Sequence, residues 1–502
     1  MSTGKKLWKI VVAAFLLVPL FSGALGTSAV EVDPPTPGNT HVTLHKRVFE
    51  DTMPAVKENT GLEDPTFGGD PLPGAEFTVY DVTTKYHAAI VGSTQQVAMD
   101  SVIADYNATP GAFTALRPAV ETSDPAGLAF FANLPLQSGG KDAAYLFVET
   151  KTPTNPTITQ KAAPFILAMP IFTSLGEDGE LNTDIHVYPK NVKADNEKEM
   201  TNAGIFDKIT IGGVEHPNVQ IGDTLSYKLT VQVPADINKA TTFVIKDTPD
   251  AGMVVADPAN IVVTGAGLAA GDYTPTVAPD RKSLEISVDP QKATPGGTIT
   301  ITYDMVLTSD APVDTSIENH ASIEIDGQTT TTITPPPGVI TNGKQFIKKD
   351  AHTGNPLEGA VFKVYREIPG EDGPDKEWAQ FNLVGDTYVF ADWGTEAAAT
   401  PVESADDGMI RLKGMIEGGY YMEEISTPDG YVLLSEPYAF QITNGESLAG
   451  EDLEYLLPID NVPKGLLPST GGSGIYAFLI IGAMMMGGAY IWFKRSKEQA
   501  EV

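Results

Sequence analysis

Short runs of alternating apolar and polar residues recur along most of the chain and constrain its fold more than any other feature. Such runs occupy 75–80, 225–231, 299–303 and 361–365, and turns rich in Gly, Pro and Asp separate them. A side-chain period of two is that of a half-buried strand, and short strands at this spacing are typical of β-sandwiches. The sequence therefore predicts an all-β chain of tandem immunoglobulin-like sandwiches, with one weakly signalled helical insertion near 95–106.

The N-terminus reads as a targeting segment. Three lysines precede an apolar stretch at 10–20, and small residues follow up to Ala29. This order is typical of a secretory signal peptide, which is removed from the mature protein. We therefore expect residues 1–29 to take no part in the fold and the mature chain to be secreted, with cleavage after Ala29 or, as the alternative, after Ala24.

The C-terminus carries a second signal. A pentapeptide that ends at Gly471 stands before an apolar run at 475–493, and three basic residues follow that run. The run is long enough to cross a bilayer as a transmembrane helix, and the basic cluster holds its end on the cytoplasmic side. We expect residues 465–502 to hold the chain in the membrane during secretion. The pentapeptide is Leu467, Pro468, Ser469, Thr470 and Gly471.

Composition excludes several classes of function. The full chain has 65 acidic and 33 basic residues, for a formal net charge of −32, so its surface repels nucleic acid phosphates. It has no cysteine, which excludes disulfides, thiol nucleophiles and Cys-ligated metals. If a secreted chain of this size is cross-linked, other chemistry must do it.

One pattern occurs twice, which indicates an internal domain repeat. Each copy has a lysine in its first strand, then a Gly-Ala-x-Phe segment, then a strand with Tyr four residues before Glu. The two lysines are Lys46 and Lys348, and the two late strands hold 145–149 and 420–424. A different domain separates the copies. The expected domains are 30–195, 196–337 and 338–464.

The repeat resembles the B-type immunoglobulin-like domain of collagen-adhesin stalks, and the whole chain resembles the sortase-assembled major pilins of Gram-positive bacteria. The resemblance implies that a sortase cleaves between Thr470 and Gly471 and joins Thr470 to a lysine of the next subunit. The family's acceptor lysine ends a Tyr-Pro-Lys motif, which Lys190 matches here. Leu181 and Ile185 depart mildly from the residues that usually precede that motif.

The resemblance also implies internal Lys–Asn amide bonds, each promoted by a buried acid. Burial disfavours charge, so it lowers the pKa of the lysine and raises that of the acid. A neutral amine then attacks the carboxamide while the acid polarises it, and ammonia leaves. Lys349 is adjacent to Lys348 and would point to the opposite face of the strand, so which of the two lysines faces inward stays open. The implied trios are Lys46, Asn191 and Glu149; Lys208, Asn319 and Asp247; and Lys348, Asn461 and Glu424.

Two functions stay open at this point. One is a pilus shaft subunit, and the alternative is a monomeric wall-anchored adhesin with the same domains as a stalk. The chain has no HExxH, GxSxG or Walker motif, so we expect neither an enzyme nor a cofactor or metal. The expected partners are identical subunits, pilus-specific and housekeeping sortases, tip and base pilins, and peptidoglycan. Host surface ligands stay open as a further class of partner.

Overall fold

The computed structural model describes residues 33–55, 57, 60–173, 179–370, 373–446, 456–465 and 483–486. The predicted signal peptide and the pentapeptide ending at Gly471 lie outside these ranges. So does the predicted transmembrane helix, apart from four helical residues at 483–486. Among the described residues no helix has both the length and the apolar character needed to span a membrane.

Strands dominate the described chain, which confirms the all-β class. The chain divides into two compact units, one made of residues up to Pro153 with Lys161–Val192, and the other of Thr154–Gln160 with the chain from Lys193. The second unit contains two separate core clusters, one mainly between Met200 and Val339 and one between Phe346 and Ile459. The expected three domain boundaries stay a prediction.

Strands β1–β13 cover the first 193 residues, and β10 among them belongs to the second unit. In chain order they are Asn39–His45, Arg47–Glu50, Asp70–Pro71, Glu76–Asp81, Val120–Glu121, Leu128–Pro135, Gln137–Ser138, Lys141–Asp142, Ala144–Lys151, Ile158–Gln160, Phe165–Ala168, Asp184–Val187 and Lys190–Lys193. Helices α1 and α2 span Thr83–Ala89 and Gln95–Ala108, and a 3-10 turn spans Pro110–Ala112.

The first unit packs sheet β12-β1-β6 and sheet β11-β9-β4-β5 around one core. Strand β1 pairs with β6 antiparallel and with β12 parallel. Every residue of β9 from Ala144 to Glu149 is buried, because the core covers one face and the helices cover the other. This double burial leaves no place for an exposed charge between Ala144 and Glu149.

The predicted helical insertion is confirmed as α2, and Thr94 is its N-cap residue. The Thr94 side chain accepts from the Val97 backbone N–H, a standard N-cap. Ala98, Val102 and Tyr106 recur every four residues and are buried, so they form the face that packs on the sheet.

Strands β14–β25 make up the first part of the second unit. They are Glu197–Met200, Lys208–Ile211, Val214–Pro217, Thr224–Gln232, Phe243–Pro249, Met253–Val255, Val262–Gly265, Tyr273–Val277, Leu284–Val288, Thr298–Leu307, Asn319–Ile325 and Gln328–Ile333. One sheet has the order β14-β17-β23-β19 with β20 beside β23, and the other has the order β21-β22-β18-β24-β25. Their inward faces share one core.

Strands β26–β34 form one nine-stranded sheet in the order β33-β32-β27-β28-β29-β31-β26-β34, with β30 beside β27. They are Asn342–Asp350, Val361–Ile368, Asp375–Val384, Thr387–Gly394, Val402–Glu403, Met409–Met415, Gly418–Ser426, Tyr438–Ile442 and Leu457–Asn461. The first and last of these, β26 and β34, run parallel as direct neighbours. Residues at the two ends of this segment therefore meet side by side.

Candidate cross-link sites and acceptor lysine

A buried lysine stands at the end of β1 because it continues the inward face of that strand. Val42 and Leu44 point into the core. Lys46 follows Leu44 by two residues, so it points the same way, and it has no solvent exposure. Glu149 holds the matching position on β9, two residues after Phe147. Both charged groups are therefore carried into the sandwich by the strand period alone.

Lys46, Glu149 and Asn191 form a closed hydrogen-bonded cluster. The Lys46 amine donates to Glu149 Oε2 at 2.9 Å and also to Asn191 Oδ1. The Asn191 amide donates to Glu149 Oε1 at 2.7 Å. The backbone N–H of Ala162 donates to both Glu149 Oε2 and Asn191 Oδ1, which fixes the acid against the amide. Each group that the Lys–Asn reaction requires is thus in contact with the other two.

Burial prepares the lysine for attack. Removal from water lowers the pKa of the Lys46 amine from its usual value to about 8, although Glu149 opposes the change. Phe77 lies 5.4 Å from the Lys46 amine, measured to the ring centroid, and helps to exclude water. More of the amine is therefore neutral near neutral pH than for an exposed lysine, and only the neutral form is a nucleophile.

The repeated pattern places a second cluster between β26, β32 and β34. Lys348 donates to Asn461 Oδ1 and lies 3.2 Å from Glu424 Oε1, which also accepts from the Asn461 amide at 2.9 Å. The Asn461 amide has a second partner in the Thr427 hydroxyl. Burial lowers the pKa of Lys348. The register left open by the sequence is settled, because Lys349 points outward and lies 3.8 Å from Asp460.

The middle segment gathers the predicted acid and amide but not the predicted lysine. Asp247 on β18 and Asn319 on β24 are both about 1 % exposed and both face the core. Lys208 lies instead on the exposed hairpin β15-β16, where its amine pairs with Glu215 at 2.6 Å. Its assignment to this trio was therefore wrong.

The lysine beside Asp247 is Lys198. Its amine lies 2.5 Å from Asp247 Oδ2 and 5.3 Å from the centroid of the Tyr227 ring. Burial lowers the pKa of Lys198 to about 8 and raises that of Asp247. The sequence did carry a signal for this lysine, since Glu197 and Glu199 of β14 face solvent while Lys198 and Met200 face inward. The signal is easily missed, because three successive charged residues look like a solvated charge run.

The predicted acceptor lysine and Asn191 lie on opposite faces of β13. Asn191 is fully buried, whereas the Lys190 amine reaches the surface, 3.5 Å from the Ala55 carbonyl and 5.7 Å from the centroid of the Phe67 ring. Tyr188 fixes the approach to this strand by stacking on Phe67 with a ring separation of 4.5 Å. Lys190 is half-buried, so part of its side chain remains open to solvent.

Three family models match separate parts of the chain, and residues 193–342 lie between the first and second matches. Residues 37–192 match the N-terminal domain described as Gram-positive pilin subunit D1, and residues 343–452 match a prealbumin-like fold domain. Residues 459–501 match the LPXTG cell wall anchor motif.

Curated relatives and solved structures cover most of the chain. The type 2 fimbrial subunit of Actinomyces naeslundii is 25 % identical over 498 residues, covering 89 % of this chain and 87 % of its own. The type 1 fimbrial subunit of Actinomyces viscosus is 23 % identical over 501 residues, covering 90 % of this chain and 89 % of its own.

Two full-length pilin structures also align. The major pilin SpaD of Corynebacterium diphtheriae has 21 % identity and a TM-score of 0.46, over 85 % of this chain and 98 % of that one. The pilus protein RrgB of Streptococcus pneumoniae has 16 % identity and a TM-score of 0.49, over 86 % of this chain and 99 % of that one.

Proposed function

We propose, from the premise that this chain is a cell-wall-anchored pilin of Gram-positive bacteria, that it is the shaft subunit of a covalent surface pilus. A sortase cleaves after Thr470, holds the subunit as an acyl-enzyme, and transfers it to the Lys190 amine of the next subunit. Repetition of this step gives a head-to-tail polymer. The last subunit is transferred to peptidoglycan instead.

One observation carries the polymer assignment. Strand β13 buries Asn191 in the core while it presents Lys190, the preceding residue, at the surface. A lysine needed only for solubility would not have to follow a stacked tyrosine and a proline that ends strand pairing. A wall-anchored monomer has no use for such an acceptor, so the feature favours the shaft over the adhesin.

We also propose that three internal amide bonds stabilise the shaft. They join Lys46 to Asn191, Lys198 to Asn319, and Lys348 to Asn461. The promoting acids are Glu149, Asp247 and Glu424. The support is contact geometry among buried side chains: each acid contacts its lysine, and each amide hydrogen-bonds within the same cluster, that of Asn319 to Tyr303.

A denaturing gel of cell-wall extract, blotted for this protein, tests the proposal against the adhesin alternative. The shaft predicts a ladder of bands that boiling in detergent does not separate, because the subunits are joined by amide bonds. A single wall-linked band of monomer mass would instead identify an anchored adhesin.

The assignment of Lys198 makes a prediction for intact mass. Each Lys–Asn bond releases one ammonia, so three bonds place the mature fragment about 51 Da below its sequence mass. We expect the Lys198→Ala fragment to fall only about 34 Da below its own sequence mass, because its middle amine is missing. Electrospray mass spectrometry of the purified fragments measures this difference.

Lys208→Ala is the matched control, since that residue is the lysine first predicted for the site. Its fragment should keep the full deficit of about 51 Da. A full deficit in Lys198→Ala together with a reduced one in Lys208→Ala would restore the original assignment.

A further inference from the structure

The middle cluster differs from the other two in how its acid reaches its amide. In the outer clusters a glutamate accepts directly from the asparagine amide. In the middle cluster the acid is an aspartate, one carbon–carbon bond shorter, and the hydroxyl of Tyr303 stands between the two groups. That hydroxyl donates to Asp247 Oδ2 and accepts from the Asn319 amide at 3.4 Å.

Tyr303 occupies a position that the strand period reserves for an apolar residue. Along β23, Ile301, Tyr303 and Met305 face the core, and Tyr303 is 2 % exposed. A phenol buried at such a position has to find a polar partner. Both of its partners here belong to the reacting cluster.

Asp247 Oδ2 is shared by the nucleophile and the phenol. The Lys198 amine lies 2.5 Å from this oxygen, and the Tyr303 hydroxyl donates to the same oxygen. A continuous chain of hydrogen bonds therefore runs from the Lys198 amine through Asp247 and Tyr303 to the nitrogen that must leave as ammonia. Asp247 Oδ1 and Asn319 Oδ1 are also buried, and neither has a hydrogen-bond partner within the part of the chain that the structure describes.

We propose that Tyr303 is a catalytic proton relay for the Lys198–Asn319 bond, an inference that rests on the internal bonds of the proposed function. As the neutral Lys198 amine adds to Cγ of Asn319, a proton from Nζ passes to Asp247 Oδ2. The Tyr303 hydroxyl, which donates to Asp247 in the resting cluster, turns toward Asn319, and its proton moves to Nδ2 while Asp247 passes a proton to the Tyr303 oxygen. The Cγ–Nδ2 bond breaks and ammonia leaves. One proton has moved from Nζ to Nδ2, and both Asp247 and Tyr303 return to their starting forms.

The electrostatics of the site suit this relay. Burial outweighs the hydrogen bonds and the charge of Lys198 that act on Asp247, so the pKa of Asp247 is raised and its carboxylate is a better base for the Lys198 proton. Burial and the adjacent Asp247 hold the pKa of Tyr303 well above its usual value, so the phenol keeps its proton until a partner returns one. Asp247 and Tyr303 can thus pass a proton on and recover their starting forms.

Tyr303→Phe tests the relay because it removes only the hydroxyl. General acid–base catalysis is worth about 100-fold or more, so we expect the middle bond to form at least that much more slowly. Freshly purified Tyr303→Phe fragment should therefore fall only about 34 Da below its sequence mass, with the deficit growing slowly on incubation. Peptide mapping should find the Lys46 and Lys348 bonds complete and the Lys198 bond missing.

Tyr273→Phe is the matched control. Tyr273 on β21 packs against the same core and is half-buried, and it is not part of the reacting cluster of Lys198, Asp247, Tyr303 and Asn319. This variant should form all three bonds at the wild-type rate. Complete and equally fast bond formation in Tyr303→Phe would overturn the relay.

Two further outcomes are separable. A wild-type fragment without a Lys198–Asn319 bond would refute the middle bond itself rather than the role of Tyr303. If hydrogen exchange shows that Tyr303→Phe leaves the middle segment unfolded, 3,5-difluorotyrosine placed at 303 keeps the ring and hydroxyl but lowers the pKa of the phenol. A changed rate of bond formation then supports the relay, and an unchanged rate overturns it.

Discussion

Lys190→Ala is expected to abolish the high-mass ladder while leaving secretion, folding and the internal bonds intact. The variant removes the only nucleophile assigned to subunit joining, and the half-buried Lys190 side chain is not part of the hydrophobic core, so the fold should tolerate its loss. Blotted wall extracts should show one band of monomer mass, attached to peptidoglycan through Thr470. The loss should be complete rather than graded, because no chain can extend past a subunit without an acceptor.

Lys57→Ala is the sharpest control for this result. The Lys57 amine lies 5.2 Å from the centroid of the Phe67 ring, close to the corresponding 5.7 Å for Lys190. It therefore shares the acceptor's surroundings but not its Tyr-Pro-Lys setting. The ladder should persist in Lys57→Ala. A ladder that survives Lys190→Ala and disappears in Lys57→Ala would reassign the acceptor.

Mixing two defective subunits separates the donor from the acceptor. A Lys190→Ala chain keeps its sorting signal, and a chain deleted for 467–471 keeps Lys190. Neither extends a polymer alone, but together with the sortase they should form a single cross-linked dimer. Failure to form any dimer while each chain is folded would count against the Thr470–Lys190 linkage.

Glu424→Ala should leave Lys348 and Asn461 unlinked and lower the stability of the C-terminal segment. A tie across 113 residues restricts the unfolded chain as a long-loop disulfide does, and that model is worth about 4–5 kcal/mol. For a segment of this size the loss corresponds to a fall in melting temperature on the order of 10–20 °C. Calorimetry and thermolysin digestion measure it, and the mass deficit should fall to about 34 Da.

A second variant isolates the covalent tie from the buried charge. Glu424→Ala also leaves the Lys348 amine buried without its acidic partner, which itself lowers stability. Lys348→Met removes the amine but keeps an apolar side chain of similar length, so it loses the bond while Glu424 keeps its hydrogen bonds from the Asn461 amide and the Leu434 N–H. Both variants should be destabilised, Lys348→Met somewhat less. A Lys348→Met fragment as stable as wild type would show that the bond contributes little to stability.

The outer clusters could be predicted because each lies on a repeated pattern. Lys46 and Lys348 precede similar Gly-Ala-x-Phe segments, and Glu149 and Glu424 close similar strands. Strand alternation then places each lysine and glutamate on the inward face. The contacts agree with this prediction, although whether the bonds form is a matter for the mass measurement.

The middle cluster was harder because the repeat does not cover it. Lys198 is flanked by two glutamates, and its inward orientation becomes clear only from the pairing of β14 with β17. Tyr303 could be placed in a strand from the sequence, but its neighbours depend on which strands pack across the core. Long-range packing of this kind carries no local signal, so neither residue could be assigned by spacing alone.

Sequencing of the cross-linked peptides from a proteolytic digest of the wall polymer tests the central claim most directly. Head-to-tail assembly predicts a branched peptide in which the carbonyl of Thr470 forms an amide with the Lys190 side chain. Residues from Gly471 onward should be absent from it. Thr470 recovered only on peptidoglycan fragments, with Lys190 unmodified throughout, would contradict the shaft assignment.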